Sequence, residues 1–425
     1  MLDIKFIREN PEVVKEGIKN KNEEDTIDQV LDLDKKRRTI ISEVEELKAK
    51  RNSVSQQIGQ VKKSGGDATE QINEMKRVGD MITDLDTQLS NTEEQLHQLL
   101  IWIPNLPHES TPLGKSEEDN VERRQWLPDG FSFEQEEKVL DHIELGKKLG
   151  ILDFERGAKI TGSGFPVYLG KGAQLERALI NYMLDLHINE HGYTEVMPPL
   201  LVNRDSMFGT GQLPKLEEDM YYAEKDELFT IPTAEVPITN LHRQEILEEN
   251  QLPINYVGYT ACFRREAGSY GKESKGFLRV HQFNKVEMVK IVKPETSYDE
   301  LEKITSDAED ILKALKIPYR ILELCSADLS FAAAKCYDIE TWSPAEVKWL
   351  EASSCSNFEN FQARRANIRY RKSKDKKLDF VHTLNGSGLA TSRLMVSILE
   401  NYQTPEGKVI VPEVLQKYTG FKIID

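Results

Sequence analysis

The residues best suited to chemistry sit in one segment of mixed polarity. Phe263-Arg264-Arg265-Glu266 is followed by a glycine-bearing stretch to Phe277, and then by Leu278-Arg279-Val280-His281-Gln282-Phe283-Asn284-Lys285-Val286-Glu287. Two strand-like runs flank a polar loop, and period-two alternation aims Arg279, His281, Phe283, Lys285 and Glu287 to one face. Such a face is a poor core and a reasonable nucleotide cradle: cation for phosphate, ring for base, carboxylate for an amine. A solvated edge strand with surface ion pairs fits the same stretch as well.

Other chemistries lack their residues. There is no GxxxxGK[ST], and Gly386-Ser387-Gly388-Leu389-Ala390-Thr391 lacks the last glycine of GxGxxG, which argues against a P-loop or a Rossmann site. The eight histidines show no HExxH or other ligand spacing. The four cysteines (Cys262, Cys325, Cys336, Cys355) form no CxxC pair, so neither a disulfide framework nor a cysteine zinc site is indicated.

The elements that must hold the polar segment are readable from periodicity. Gln174–Glu190 and Leu301–Leu315 have helical apolar spacing, whereas 194–197, Ile254–Ala261 and Arg279–Ile291 read as strands. Strands recur without regular βαβ alternation, which favours an α+β domain on a mainly antiparallel sheet over residues 116–425. Ahead of it, Val30, Leu33, Arg37, Ile40, Val44, Leu47, Arg51, Val54, Ile58 and Val61 form a heptad seam. After Ser64-Gly65-Gly66-Asp67 the seam resumes as Met75, Val78, Ile82, Leu85, Leu89, Thr92, Leu96 and Leu99. The pattern predicts an antiparallel coiled-coil hairpin over about 27–100, within an N-terminal domain of 1–103, projecting on the order of 50 Å. Pro104, Pro107 and Pro112 mark a linker at 104–115. The first arm is basic (Lys35 to Arg38, Lys48, Lys50, Arg51, Lys62, Lys63) and the second mostly acidic outside the seam. Solubility of a two-helix coil explains this pattern, and so does contact with a polyanion.

Composition bounds the setting. Fifty-six basic against 72 acidic residues leave a formal charge of −16 over 425 residues, which opposes broad nonspecific binding to DNA or RNA but permits a selective RNA partner. No apolar run approaches the roughly 18 residues of a membrane span, and the first residues carry no apolar secretory core. A reduced, cytoplasmic protein with no membrane or DNA partner is expected.

The chain resembles the class II aminoacyl-tRNA synthetases. Phe263-Arg264-Arg265-Glu266 is similar to motif 2, and Gly388-Leu389-Ala390-Thr391-Ser392-Arg393 to motif 3. The helix ending at Gly192 with the strand running into Pro198-Pro199 is similar to motif 1, the dimer element. Gly209-Thr210-Gly211-Gln212-Leu213-Pro214, Thr233-Ala234-Glu235, Val280-His281-Gln282-Phe283, Ser353-Ser354-Cys355-Ser356-Asn357-Phe358 and Asn385-Gly386-Ser387-Gly388 narrow the resemblance to the seryl-tRNA synthetase family. It covers essentially the whole chain.

The resemblance implies an antiparallel-sheet catalytic domain in a homodimer, which activates L-serine with ATP and Mg²⁺ and transfers the seryl group to tRNA(Ser), with tRNA(Sec) a second acceptor to test. It implies that Arg264 holds the α-phosphate, that Glu266 lies near adenine or its ribose, and that Phe283 stacks on adenine with Arg393 on its other face and toward the γ-phosphate. Arg265, Arg279, Val280, Ala352 and Ser353 complete the implied ATP set; Glu351 and Ser354 are the implied Mg²⁺ ligands. Thr233, Ala234, Glu235, Glu287, Asn385 and Ser387 form the implied serine set. Ala352 stands where the family has a larger aliphatic residue. The hairpin is implied to reach the long variable arm of tRNA(Ser). The basic cluster from Arg364 to Lys377 suits an acceptor-stem path and a charged surface hairpin equally. A paralogue loading a carrier protein would lack the hairpin, and a scaffold would have no use for a full set of ATP-binding groups.

Overall fold

A computed structural model of the chain describes residues 1–134, 139–267 and 275–425. By internal contacts it divides into two units, Met1–Pro104 and Asn105–Asp425.

In the first unit two short helices, α1 (Ile4–Glu9) and α2 (Pro11–Asn20), precede the long helices α3 (Ile27–Lys63) and α4 (Thr69–Leu100). At 1.5 Å per residue the arms are about 55 and 48 Å long. Ser64–Ala68 turns the chain, with Asp67 accepting from the backbone N–H (2.9 Å) and hydroxyl (2.6 Å) of Thr69. Burial follows the heptad seam at the base, where Val30, Ile40, Val44, Val78, Ile82, Thr92 and Leu96 are buried. The expected seam position Arg51 is exposed, since an arginine keeps its charge in water. At the base the buried acid Asp34 is held by Arg8 (2.9 Å) and Arg38 (3.0 Å), which pins α1 to α3. Basic and acidic arms pair at Arg37–Glu93 (2.9 Å), Lys48–Asp86 (3.5 Å) and Lys50–Glu74 (2.6 Å).

The second unit is built on an eight-stranded sheet: β1 (Val121–Trp126), β2 (Thr194–Glu195), β3 (Ile254–Phe263), β4 (Gln282–Val292), β5 (Tyr319–Glu323), β6 (Lys335–Ser343), β7 (Lys348–Asn357) and β8 (His382–Ala390). The spatial order is β1-β5-β6-β7-β8-β4-β3-β2, antiparallel throughout except for the β2–β3 edge. Helices α5 (Gly170–Asn189), α6 (Glu235–Thr239), α7 (Ser297–Ala314), α8 (Phe361–Ala366) and α9 (Thr391–Asn401) complete the elements used below. The observed strand and helix ends fall within a few residues of those read from periodicity. Asn105 is part of this unit: its side-chain amide donates to the carbonyls of Ala332 and Phe358 (2.9 Å each).

Strand alternation divides the sheet into a core face and a polar face. Val286, Met288 and Val292 of β4 join one apolar cluster with Leu175, Leu179 and Met183 of α5, Ile304, Ala308 and Ile311 of α7, and Leu394, Met395 and Ile398 of α9. Each such side chain contributes about 1.5–3 kcal/mol on burial. Gly388 lets α5 approach: a Cβ there would lie 2.3 Å from His187 Nε2. His187 is buried, and burial with the neighbouring His191 pushes its pKa down to about 3. The neutral ring then donates from Nε2 to the Gly388 carbonyl (3.3 Å) and accepts at Nδ1 from His191 (3.0 Å).

Candidate active site

The polar face floors a cavity of about 980 Å³. Of the expected residues, Thr233, Glu235, Arg264, Glu266, Arg279, Val280, Phe283, Glu351, Ala352, Ser353, Ser354, Asn385, Ser387 and Arg393 line it, although they span 161 positions of chain from 233 to 393. Ala234 is fully buried behind the lining, and Glu287 is buried beneath it. Arg265 is exposed and outside the lining, since its N–H is tied to the Asp219 carbonyl (2.8 Å) and neighbouring side chains diverge.

The face expected from period two holds within the strand and fails before it. β4 begins at Gln282, so Phe283 and Lys285 face the cavity and Glu287 lies under it, whereas His281 stacks on Phe165 (centroids 5.4 Å). His281 instead clamps the preceding loop: Arg264 N–H donates to its carbonyl (2.9 Å), and its Nδ1 lies 3.0 Å from the Arg264 carbonyl. Arg279 reaches the cavity through Glu266 (2.8 Å). The glycine-bearing stretch between Glu266 and Phe277 falls largely on 268–274, outside the described residues.

Three chemical subsites follow. In the first, the Arg264 guanidinium lies 5.2 Å over the Phe283 ring and its Nε donates to the Pro232 carbonyl (3.3 Å), while Arg393 is oriented by the Leu278 carbonyl (2.6 Å). Neither arginine has a carboxylate within ion-pair distance among the described residues, so both charges remain available to an anion. Within the protein itself, the Phe283 ring carries the Arg264 guanidinium on one face.

The second subsite is acidic. Glu351 and Ser354 are an odd number of positions apart and in a regular strand would face opposite ways. Ile339 pairs with Ser353 but Glu340 with Glu351, so Ala352 is an extra residue and the bulge turns both side chains into the cavity. The departure at position 352 thus falls on a buried residue at the bulge. Opposite Ser354 lies Asp338, whose carboxyl pKa is raised by burial and by Glu351. Two carboxylates and a hydroxyl form a hard oxygen set suited to Mg²⁺. Among the described residues no group of three or more His, Cys, Asp or Glu side chains is arranged to hold a metal ion.

In the third subsite Asn385 Nδ2 donates to both Glu235 Oε2 (3.1 Å) and Glu287 Oε1 (2.9 Å), and Lys285 forms a close ion pair with Glu287. Burial, and then the Glu287 charge, raise Glu235 to a pKa of about 7, against Gln362, Lys285 and Arg264, which act to lower it. Paired buried carboxylates with only one lysine are matched to a cationic ligand group.

Comparison with known proteins fits this geometry. Residues 1–107 match the model of the seryl-tRNA synthetase N-terminal domain, and 217–402 that of the class II tRNA synthetase core domain (G, H, P, S and T). Proteins named serine–tRNA ligase from Chloroherpeton thalassium and Chlorobium phaeobacteroides are 60% and 58% identical, each over 100% of both chains. The chain belongs to the seryl-tRNA synthetase family. The crystal structure of seryl-tRNA synthetase from Pyrococcus horikoshii complexed with ATP is 41% identical, covers 100% of this chain and 99% of its own, and superposes with a TM-score of 0.94. The cytoplasmic serine–tRNA ligase of Naegleria fowleri in complex with AMP is 33% identical over 100% and 99%, with a TM-score of 0.88.

Within this synthetase fold the sequence reading overlooked Asp338 and Glu340, which line the cavity with Cys336 at period two on β6, and Gln362, on α8. The first pair carried a signal, alternate acids in a strand-like run; Gln362 carried none. The basic cluster after Arg364 is not one patch. Arg365 is buried, and Arg371, Lys372 and Lys377 pair with Glu248, Asp379 and Asp375.

Proposed function

We propose that this chain joins L-serine to tRNA(Ser) in two steps within the cavity. One observation carries the reading: cations, an aromatic ring and carboxylates from distant parts of the chain line a single cavity, with buried Glu287 beneath it. ATP binds with adenine on Phe283, the α-phosphate at Arg264, and the γ-phosphate toward Arg393, with Arg279, Glu266, Val280 and Ser353 around it. The serine ammonium sits between Thr233, Glu235 and Glu287, and its hydroxyl near Glu287, Asn385 and Ser387. A serine carboxylate oxygen attacks the α-phosphorus; the bond to the β-phosphate breaks, and pyrophosphate leaves. A 3′-terminal ribose hydroxyl of the tRNA then attacks the carbonyl, and AMP departs. Steps of this kind need positioning and charge neutralisation more than a protein nucleophile. Mg²⁺ held by Glu351 and Ser354 would supply charge neutralisation for the phosphates.

Hydrogen bonds to the hydroxyl reject alanine, whose binding would leave them unpaired, and lack of room rejects threonine. The N-terminal domain, 1–103, binds tRNA(Ser) through the hairpin of 27–100, with 104–115 joining it to the catalytic domain of 116–425. Lys35, Lys36, Lys62 and Lys63, exposed on α3, are the phosphate-contacting charges. The exposed apolar residues after β2 (Met197, 87% accessible, with Leu200 and Leu201) support a homodimer through the motif 1 region. Among the described residues no helix is long and apolar enough to cross a membrane. Charging of tRNA(Ser) transcript with labelled serine tests the reading. Seryl transfer to the tRNA supports it, whereas adenylate formation with no tRNA product would favour a carrier-protein acceptor; tRNA(Sec) belongs in the same assay.

A further inference from the structure

Helix α8 lies behind the cavity, and its buried polar side chains point at the groups that line it. Gln362 is fully buried and outside the lining. Its Nε2 donates to Glu235 Oε1 (2.6 Å) and to the Thr210 carbonyl (3.0 Å), and its Oε1 accepts from Thr383 Oγ1 (2.7 Å). One turn on, Arg365 donates to the Leu213 carbonyl (2.9 Å) and lies over the Phe361 ring (4.8 Å). The helix thus holds the 210–213 segment and the Glu235 carboxylate together.

The contacts at Gln362 specify an amide. Two acceptors require two N–H donors, and the Thr383 hydroxyl requires an acceptor on the same side chain. A glutamate would set a second acid against Glu235, and an aliphatic residue would leave three buried polar atoms unpaired. Asn385 holds Oε2 from the other side, so the carboxylate plane is fixed from both edges.

We propose that Gln362 is a positioning residue for amino-acid selection: it touches no substrate, yet it orients the Glu235 carboxylate and so sets the affinity for the serine ammonium. The inference deepens the functional reading above and rests on it. It has a signature that mere structural support lacks. The amide hydrogen bond favours ionised Glu235, against burial and Glu287 and alongside Lys285 and Arg264. Loss of the amide raises the Glu235 pKa further, and serine binding then weakens from a higher pH downward.

The test uses the full-length chain in serine-dependent ATP–pyrophosphate exchange over about pH 6 to 9. Gln362→Met is expected to raise KM for serine roughly 10- to 100-fold, the worth of a charge-assisted hydrogen bond, with KM for ATP within about threefold. The acid limb of kcat/KM for serine should move to higher pH. Should Gln362→Met not fold, Thr383→Val frees the amide while keeping its donors, and a smaller shift in the same direction is expected, about three- to tenfold. An unchanged serine KM, or equal rises for serine and ATP with the pH limb unmoved, overturns the proposal. A wild-type chain with no serine-dependent exchange overturns the functional reading and this inference with it, whereas active wild type with a normal variant overturns the inference alone.

Discussion

Replacing Arg264 by alanine tests the phosphate subsite where the structure is most explicit. The side chain makes two contacts there: a hydrogen bond to the Pro232 carbonyl and a stacking contact 5.2 Å from the Phe283 ring. Neither holds the fold together, so the variant should unfold within about 1 kcal/mol of the parent. The cation–π contact within the free protein contributes about 0.5–1 kcal/mol at such sites, a loss that falls on folding stability and lies within that limit. The larger effect is on the rate. Removing one preorganised donor from charge developing on an oxyanion costs roughly 10²–10³ in kcat, about 2.7–4 kcal/mol. Single-turnover adenylate formation, with unfolding followed in parallel, separates the terms. Arg264→Lys restores the charge but not the planar fork and should recover only part of the loss. A rate within about tenfold of the parent in Arg264→Ala, on a folded protein, would refute the α-phosphate assignment.

Three further outcomes follow from other parts of the molecule. Replacing residues 35–95 by a short turn should leave pyrophosphate exchange nearly intact and abolish tRNA charging, as expected where 1–104 forms its own contact unit; equal loss of both would contradict the division of labour. Glu351→Gln should raise the Mg²⁺ concentration needed for half-maximal exchange by at least about tenfold and weaken Mn²⁺ binding seen by electron paramagnetic resonance; unaltered binding would remove Glu351 from the metal set. His187, neutral and buried, has a folded pKa near 3, below the unfolded value near 6.5. Between these values the unfolded chain binds the extra proton, so stability falls with acidification through this window, by up to about 1.4 kcal/mol per pH unit. His187→Asn should flatten that dependence in denaturant titrations, and an unchanged slope would show that another group is responsible.

Much of the arrangement was legible because it depends on local periodicity. The hairpin seam follows from heptads, and Phe283 and Lys285 share a face because β4 is regular there. What escaped depends on contacts between distant segments. The bulge at Ala352 is defined by the register of β6 against β7, so nothing in 351–354 alone shows that Glu351 and Ser354 face the same way. His281 reads as part of a strand that starts one residue later, and its ring goes to Phe165. Gln362 lies on a helix of six residues, too short for a periodic signal, and acquires its contacts only when α8 meets α6 and β8.

The central claim is that the cavity joins ATP to one amino acid, and ATP–pyrophosphate exchange across a panel of amino acids tests it most directly. Exchange supported by serine, with alanine at least roughly 10³-fold and threonine roughly 10²-fold less efficient in kcat/KM, is the predicted result. Efficient exchange with a different amino acid, or none with serine, would contradict it.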